Sequence, residues 1–170
     1  MSEVHPLVRQ LRFTRSEFAR ALRSVTDEDG ARRFEPMNCI SWNVAHLAWQ
    51  EQYYFLFWGQ QRKLLPDVQK NFATGAPAST PLLSEMLEAW NAITAEVDPW
   101  LDKLTAGALL SPFIRADGQP GKRTYGSLMQ CAIYHYWYHL GENMAIRQLL
   151  GHVRLPQFAG NIDDKAPFIG

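Results

Sequence analysis

The fold of this chain is indicated most clearly by residues 134–142, which read Tyr-His-Tyr-Trp-Tyr-His-Leu-Gly-Glu. They lie in the middle of the longest helical pattern of the sequence, which has Thr124 as N-cap and runs to about Leu150. His135 and His139 are four residues apart, so on a helix both imidazoles lie on one face, with Cβ atoms about 5–6 Å apart. Two such rings can bind one metal ion through Zn–N bonds of about 2.0–2.1 Å. The alternative is a pair of core or surface histidines at a chance spacing.

Three further helical patterns precede this one, and they begin near residues 6, 41 and 80. The first ends at the acidic cluster 27–30, and the second is capped by Ser41, is apolar almost all round and ends at Trp58 before Gly59. The third starts at Thr80-Pro81 and is expected to bend or restart at Pro99.

The connections are long and contain turn-forming residues. We expect a loop over residues 60–79, a short hairpin or ordered loop within 107–123, and an extended tail over 152–170. Strand-like alternation of any length is missing from the sequence. These features predict an all-α fold, a single four-helix bundle domain over residues 1–170 whose core covers about 7–151.

The composition excludes several classes of protein. Lys and Arg together number 17, as do Asp and Glu, so there is no general electrostatic attraction to nucleic acid or to an anionic membrane. The sequence contains no apolar run long enough to span a membrane, and residues 1–10 lack the apolar segment of a signal peptide. Cys39 and Cys131 are its two cysteines, so a disulfide framework is not expected. We therefore expect a cytoplasmic protein that binds neither nucleic acid nor membranes.

A bundle places metal sites between facing helices, and His46 on the second helix is the natural third ligand for His135 and His139. Three neutral imidazoles with an open fourth position are typical of catalytic zinc sites. Nickel, iron or manganese would also fit, since three imidazoles alone discriminate poorly between these ions.

The roles of the other polar residues near the pair follow from helical spacing. Glu142 is seven residues from His135, about 10.5 Å along a helix, so it is a poor ligand for the same ion. It is the candidate catalytic residue, expected to orient a ligand or to hold a metal-bound water. The alternative for Glu142 is a carboxylate on the helix surface. Cys131 is expected to be a small buried core residue, and His5 and His152 are expected to face solvent.

Two segments resemble the signatures of a known family. Residues 42–51, Trp-Asn-Val-Ala-His-Leu-Ala-Trp-Gln-Glu, are similar to the second-helix signature of the DinB-like superfamily, and residues 135–142 are similar to its fourth-helix signature. The resemblance covers about residues 7–151. It implies a four-helix bundle in which a divalent metal ion is held by His46, His135 and His139.

The resemblance also implies a range of activities. Members of the superfamily include thiol-dependent S-transferases and isomerases that use mycothiol or bacillithiol, and the N-terminal domain of ergothioneine-type sulfoxide synthases. Those synthases have a further catalytic domain that this chain lacks. Our leading hypothesis is therefore a metal-dependent S-transferase, with a low-molecular-weight thiol as co-substrate and a small electrophile bound against the aromatic residues.

Two alternatives stay open at this point. A metal-dependent hydrolase needs the same three histidines and open position. A non-catalytic module, in which the metal stabilises a bundle that binds a ligand or forms a homodimer, would also account for the many Trp and Tyr residues.

Overall fold

The computed structural model describes residues 4–157 and 159–168. The prediction of an all-α fold is confirmed, since a single two-stranded sheet accompanies the helices of the described residues. The helices are α1 (Pro6–Ala21), α2 (Asp27–Ala31), α3 (Ile40–Glu51), α4 (Trp58–Gln60), α5 (Pro66–Phe72), α6 (Leu83–Leu101), α7 (Ala106–Leu110), α8 (Tyr125–Leu149) and α9 (Ile162–Lys165). A π-helical segment, Gln52–Phe57, joins α3 to α4, and the strands are β1 (Pro112–Ile114) and β2 (Pro120–Thr124).

The four long helices enclose the core. Helix α3 packs against α6 and α8, and α1 packs against α8. Each contributes an apolar face, because apolar residues recur at helical spacing and gain free energy when they leave water. Fully buried members of this core include Leu11, Phe18, Val44, Leu47, Ile93, Val97, Met129 and Ile146. This packing therefore fixes the positions of α3 and α8, the two helices that carry the predicted metal-binding histidines.

Helix α8 begins and ends as predicted. The Thr124 hydroxyl accepts a hydrogen bond from the Ser127 N–H at 3.1 Å, so Thr124 is the N-cap. The helix ends at Leu149, and Gly151 follows with a φ of 78°, which glycine adopts without steric cost.

The acidic cluster after α1 does not end a helix but begins one. Helix α1 stops at Ala21, and Thr26 caps α2 by accepting from the Asp29 N–H at 3.1 Å. Acidic residues in a first turn are stabilised by the free N–H groups there, which explains the difference from the prediction.

The start of α6 also differs from the prediction. The helix begins at Leu83, so Thr80 and Pro81 are not its cap and first residue. Instead, the carboxylate of Asp27 in α2 accepts hydrogen bonds from the Ser84 N–H at 2.7 Å and from the Ser84 hydroxyl at 2.9 Å. A distant side chain thus serves as the cap. At the other end α6 continues through Pro99 to Leu101.

The second predicted helix is longer and less regular than expected. It begins at Ile40 with Cys39 at the N-cap position, so Ser41 lies inside it. It ends at Gln60 rather than at Trp58, and the C-cap is Gln61, with a φ of 55°, rather than Gly59. A Cβ atom on Gly59 would lie 2.9 Å from the Trp100 ring, so this glycine is explained by close packing.

The predicted loop and tail each contain a short helix. Helix α5 lies within residues 60–79, and α9 lies within the tail, so neither segment is wholly irregular. The side chain of Gln52, in the π-helical segment, fixes the start of the first connection by accepting from the Leu64 and Leu65 N–H groups at 2.9 and 2.7 Å. The predicted hairpin is present as the antiparallel pair β1 and β2. None of the described helices is long and apolar enough to cross a membrane.

Candidate metal centre

The three predicted metal-binding histidines lie together between α3 and α8. His46 belongs to α3, and His135 and His139 lie one turn apart on α8. One ring nitrogen from each histidine can be chosen so that all lie within 4.8 Å of one another. The Nε2 atoms of His135 and His139 are 2.9 Å apart. His46 and His139 are buried, whereas His135 is half-buried.

Hydrogen bonds on the outer nitrogens orient two of the rings. Nδ1 of His46 lies 2.7 Å from the Phe72 carbonyl oxygen, which can only accept, so Nδ1 carries the proton. Nδ1 of His139 lies 2.8 Å from Oε2 of Glu142 and donates to the carboxylate in the same way. The Nδ1 proton of each ring is therefore used in a hydrogen bond, which leaves Nε2 as the nitrogen that can bind a metal ion.

The electrostatic environment keeps two of these rings neutral. Burial, together with the nearby His139 and His46, lowers the pKa of His135 to about 3. Burial also lowers the pKa of His46, although its hydrogen bond to Phe72 acts in the opposite direction. Neutral imidazole is the form that binds metal, so at neutral pH these rings need not lose a proton first. Nδ1 of His135 is buried with no hydrogen-bond partner among the described residues.

The donor set fits a divalent cation. Three imidazole nitrogens converge, and the hydrogen bonds of the outer nitrogens leave the Nε2 lone pairs of His46 and His139 available to a cation. Zinc and other divalent transition metals bind imidazole nitrogen in such groups of three. The triad could therefore hold a metal ion.

Glu142 has a second contact that fixes its carboxylate. The Asn43 side-chain amide donates to Oε2 of Glu142 at 3.0 Å and to Oδ1 of Asn143 at 2.8 Å. Asn43 and Asn143 are fully buried. The carboxylate that orients His139 is thus itself oriented by α3, and the contact joins the two helices that carry the histidines.

Aromatic rings pack against the triad. The indole of Trp42 stacks on the His46 ring with centroids 4.8 Å apart, and Trp49 stacks on it at 5.1 Å. The Trp49 Nε1–H donates to Gln69 of α5 at 3.0 Å. These contacts restrict the rotation of His46, so the position of its Nε2 is set by packing as well as by hydrogen bonding.

A cavity of about 640 Å³ reaches the triad at His135 and opens to solvent. Its lining residues are Gln50, Thr74, Arg123, Ser127, Gln130, Cys131, Tyr134, His135 and Tyr138. Tyr134 and Tyr138 are exposed at its edge. Cys131 is half-buried in this wall, with Sγ 3.7 Å from the Tyr54 hydroxyl, so the prediction of a buried core cysteine is wrong. The cause is that the α8 face bearing Cys131 and His135 borders the cavity instead of the core.

The family model described as the DinB superfamily matches residues 10–142. The chain belongs to the DinB superfamily. The matched region includes all three histidines and Glu142. No curated protein matches the chain.

The other two histidines of this DinB protein lie outside the triad, as predicted, but they are not simply solvated. Nδ1 of His5 accepts from the Leu7 N–H at 3.1 Å and so caps α1. Nε2 of His152 lies 3.3 Å from the Asp29 carboxylate, and its Nδ1 lies 3.1 Å from Nε of Arg147. Both side chains have structural partners at helix ends.

Sequence reasoning missed three residues around the triad of this DinB protein. Asn43 and Gln50 lie three residues before and four residues after His46, so helical spacing alone would have put them on its face. Phe72 contributes its carbonyl oxygen, and a main-chain contact leaves no signal in the side-chain pattern.

Proposed function

We propose that His46, His135 and His139 bind a divalent metal ion and that the protein is a thiol S-transferase acting on a small electrophile. The observation that carries this proposal is that His135, one member of the triad, lines a cavity that opens to solvent. A purely structural site would need no access from solvent. A divalent ion held there would act as a Lewis acid and lower the pKa of a thiol at its open position.

The proposed reaction is a substitution. The thiol loses its proton, its sulfur forms a bond to the electrophilic carbon, and the bond from that carbon to the leaving group breaks. The leaving group departs with the electron pair, and the proton passes to solvent. No electron is lost or gained, so the reaction needs no oxidant or reductant.

The residues of the chain have separate parts in this proposal. The carboxylate of Glu142 accepts the Nδ1–H bond of His139 and keeps Nε2 of that ring turned toward the other histidines. Glu142 is our candidate for the catalytic carboxylate predicted from the sequence, and its contact with His139 supports a positioning role. Tyr134 and Tyr138 supply aromatic surface at the entrance, against which an apolar electrophile can pack.

The test is a turnover assay with defined metal content. The protein is loaded in turn with zinc, nickel, iron and manganese and mixed with chlorodinitrobenzene and a panel of small thiols. We expect formation of the thioether and release of chloride to exceed the uncatalysed rate only when the protein, its metal and a thiol are all present. His46→Ala, which removes a ligand outside α8, should abolish this activity. Release of chloride without a thiol would instead identify a hydrolase, and no turnover by any fully loaded form would overturn the proposal.

A further inference from the structure

The wall of the cavity that His135 lines contains a positively charged side chain and no negatively charged one among its described lining residues. Arg123 is its cationic side chain, and none of the lining residues, all within the described ranges, carries a carboxylate. Arg123 forms no ion pair with any carboxylate of the described residues; its Nη1 instead lies 3.9 Å from Sγ of Cys131. A cavity with an unpaired guanidinium favours an anionic ligand, because Arg binds carboxylates through charge-assisted hydrogen bonds.

Gln50 provides a second, independent feature that points to a ligand. Its side chain lines the same cavity although only 4% of the residue is exposed. Its Oε1 is buried and has no hydrogen-bond partner among the described residues. A buried acceptor without a partner is destabilising, and a ligand with an N–H or O–H group would satisfy it.

The two features are connected along one side of the cavity. Arg123 contacts Cys131, Cys131 lies 3.7 Å from the Tyr54 hydroxyl, and Gln50 lines the same cavity as Arg123 and Cys131. His135 is one turn after Cys131 on α8 and lines the cavity as well. A small molecule lying along this row would have its anionic end at Arg123 and would extend toward the histidine triad.

We propose that this cavity binds a small molecule that carries a carboxylate, held by Arg123, and a hydrogen-bond donor, held by Oε1 of Gln50. The identification of this small molecule as a substrate rests on the S-transferase function proposed above. The carboxylate belongs either to the thiol or to the electrophile, since both would have to reach the triad. In either case the cavity recognises an anionic group. Probes of similar size that differ in charge show whether the thiol or the electrophile carries it.

The first arm of the experiment uses the charge of the thiol. Zinc-loaded protein is titrated calorimetrically with mercaptopropionate, mercaptoethanol and cysteamine, which are anionic, neutral and cationic thiols of similar size. The same thiols are then assayed with chlorodinitrobenzene. The second arm keeps mercaptoethanol constant and compares chlorodinitrobenzene with its anionic analogue, chlorodinitrobenzoate. We expect the anionic probe to be preferred in one arm, and that arm identifies the source.

The variant Arg123→Gln tests the residue directly. It should weaken the preferred anionic probe by about tenfold, because a hydrogen bond to a charged group is lost, and should change the neutral probe by less than about twofold. Lys122→Gln is the matched control, since Lys122 is an exposed neighbouring cation that does not line the cavity. Arg123 is itself exposed, so the substitution is not expected to disturb folding.

Gln50→Met provides the second variant. It should remove the advantage of mercaptolactate, which adds a hydroxyl donor, over mercaptopropionate, while binding of mercaptopropionate itself stays within about twofold. If both arms show no preference for charge, or if Arg123→Gln and Lys122→Gln behave alike, the proposal is wrong.

The experiments distinguish an error in the proposed carboxylate-binding site, called the subsite here, from an error in the proposed S-transferase function. Charge-selective binding in the calorimeter without turnover would retain the subsite and reject the transferase. Turnover that is indifferent to charge would retain the transferase and reject the subsite.

Discussion

Nε2 of His139 lies 2.9 Å from Nε2 of His135, and the Nδ1 of His139 lies 2.8 Å from the Glu142 carboxylate. Because the carboxylate holds the proton on Nδ1, the lone pair of His139 is turned toward His135. Two facing imidazole nitrogens of this kind can share one proton or one cation.

Replacing either His135 or His139 by Ala should lower the metal content of purified protein sharply and leave the helix content unchanged. The expected loss of affinity exceeds the 10- to 100-fold that is typical for a residue that only supports a ligand. Elemental analysis and circular dichroism measure the two quantities. His152→Ala is the matched control, because that histidine pairs with Asp29 and Arg147 far from the triad. Full metal content in a double variant of His135 and His139 would contradict the site.

A shared ion should also link α3 to α8 thermodynamically. His46 is 89 positions before His135 in the chain, so an ion bound by both stabilises only the folded state. At a free metal concentration about 100 times Kd the gain is about 2.7 kcal/mol. Thermal unfolding with and without chelator should therefore give a higher Tm for the metal-loaded protein. In His46→Ala the chelator should have little effect, and an equal response of both proteins would argue against a common ion.

The long helices and the pair His135 and His139 could be predicted from local pattern, because each depends on spacing within one helix. Thr124 and Gly151 set the ends of α8 by local chemistry, and the i,i+4 spacing of His135 and His139 fixes their common face. Pairing these two with His46 required the further expectation that α3 and α8 are neighbours, which their packing satisfies.

The contacts that escaped prediction come from distant parts of the chain. The cap of α6 is Asp27, which is 57 residues from Ser84, so the local Thr80-Pro81 signal gave the wrong start. The partner of His46 is a carbonyl in α5, a helix that lies inside the predicted loop. Cys131 lies one turn before His135, so helical spacing places both on one face of α8. What the sequence does not show is that this face borders a cavity instead of the core at Cys131.

Metal-free protein should become less stable as pH falls below about 6.5, the ordinary pKa of histidine. Burial lowers the pKa of folded His135 to about 3 and also lowers that of His46. Between about pH 6.5 and about 3 the unfolded chain therefore binds protons that the folded chain does not, so the free energy of unfolding decreases as the pH falls. Urea unfolding at about pH 7 and about pH 5 measures this decrease.

His135→Gln is the control for the pH experiment, since Gln does not titrate there. Its free energy of unfolding should depend less on pH than that of the parent protein, while all other titrating groups are unchanged. With metal bound, protonation should release the ion over the same acidic range and add to the loss of stability. An equal pH dependence in parent and variant would mean that His135 is not held neutral by the fold.

The buried ion pair of Arg15 and Glu51 should be important for stability. Glu51 is fully buried and accepts hydrogen bonds from Arg15 at 2.7 and 2.6 Å and from the Tyr136 hydroxyl at 3.0 Å. Burial would lower the pKa of Arg15, but Glu51, with Tyr136 and Asp98, raises it above its ordinary value. Glu51→Gln should cost about 3 kcal/mol or more, because the buried guanidinium then loses its main counter-charge.

Urea unfolding measures the loss of stability in Glu51→Gln and in a matched substitution of an exposed ion pair. Arg62 and Glu96 are 3.0 Å apart on the surface, and Glu96→Gln should cost less than about 1 kcal/mol. The double variant Arg15→Met with Glu51→Met should cost less than the sum of the two single changes, since no unpaired charge is left buried. A cost for Glu51→Gln as small as that for Glu96→Gln would show that the buried pair adds nothing beyond a surface pair.

Glu142→Gln separates the positioning role of this carboxylate from a merely structural one. The amide is nearly the same size, so the three imidazoles and most of the metal should be retained at saturating metal. Gln holds the Nδ1–H of His139 less strongly than a carboxylate does, so turnover should fall about 10- to 100-fold. Metal content, Tm and the pH profile of kcat/KM are measured together on zinc-loaded protein.

The pH profile of kcat/KM distinguishes a positioning role of Glu142 from a structural one, which a measurement of stability alone would not do. If Glu142 acts through His139, the acidic limb of kcat/KM should shift in Glu142→Gln while Tm changes little. Asn43→Ala is the matched variant, because it removes the other partner of Oε2 and leaves the carboxylate in place. It should reduce turnover less than Glu142→Gln does. A Glu142→Gln protein that binds metal and turns over like the parent would leave this carboxylate without a catalytic part.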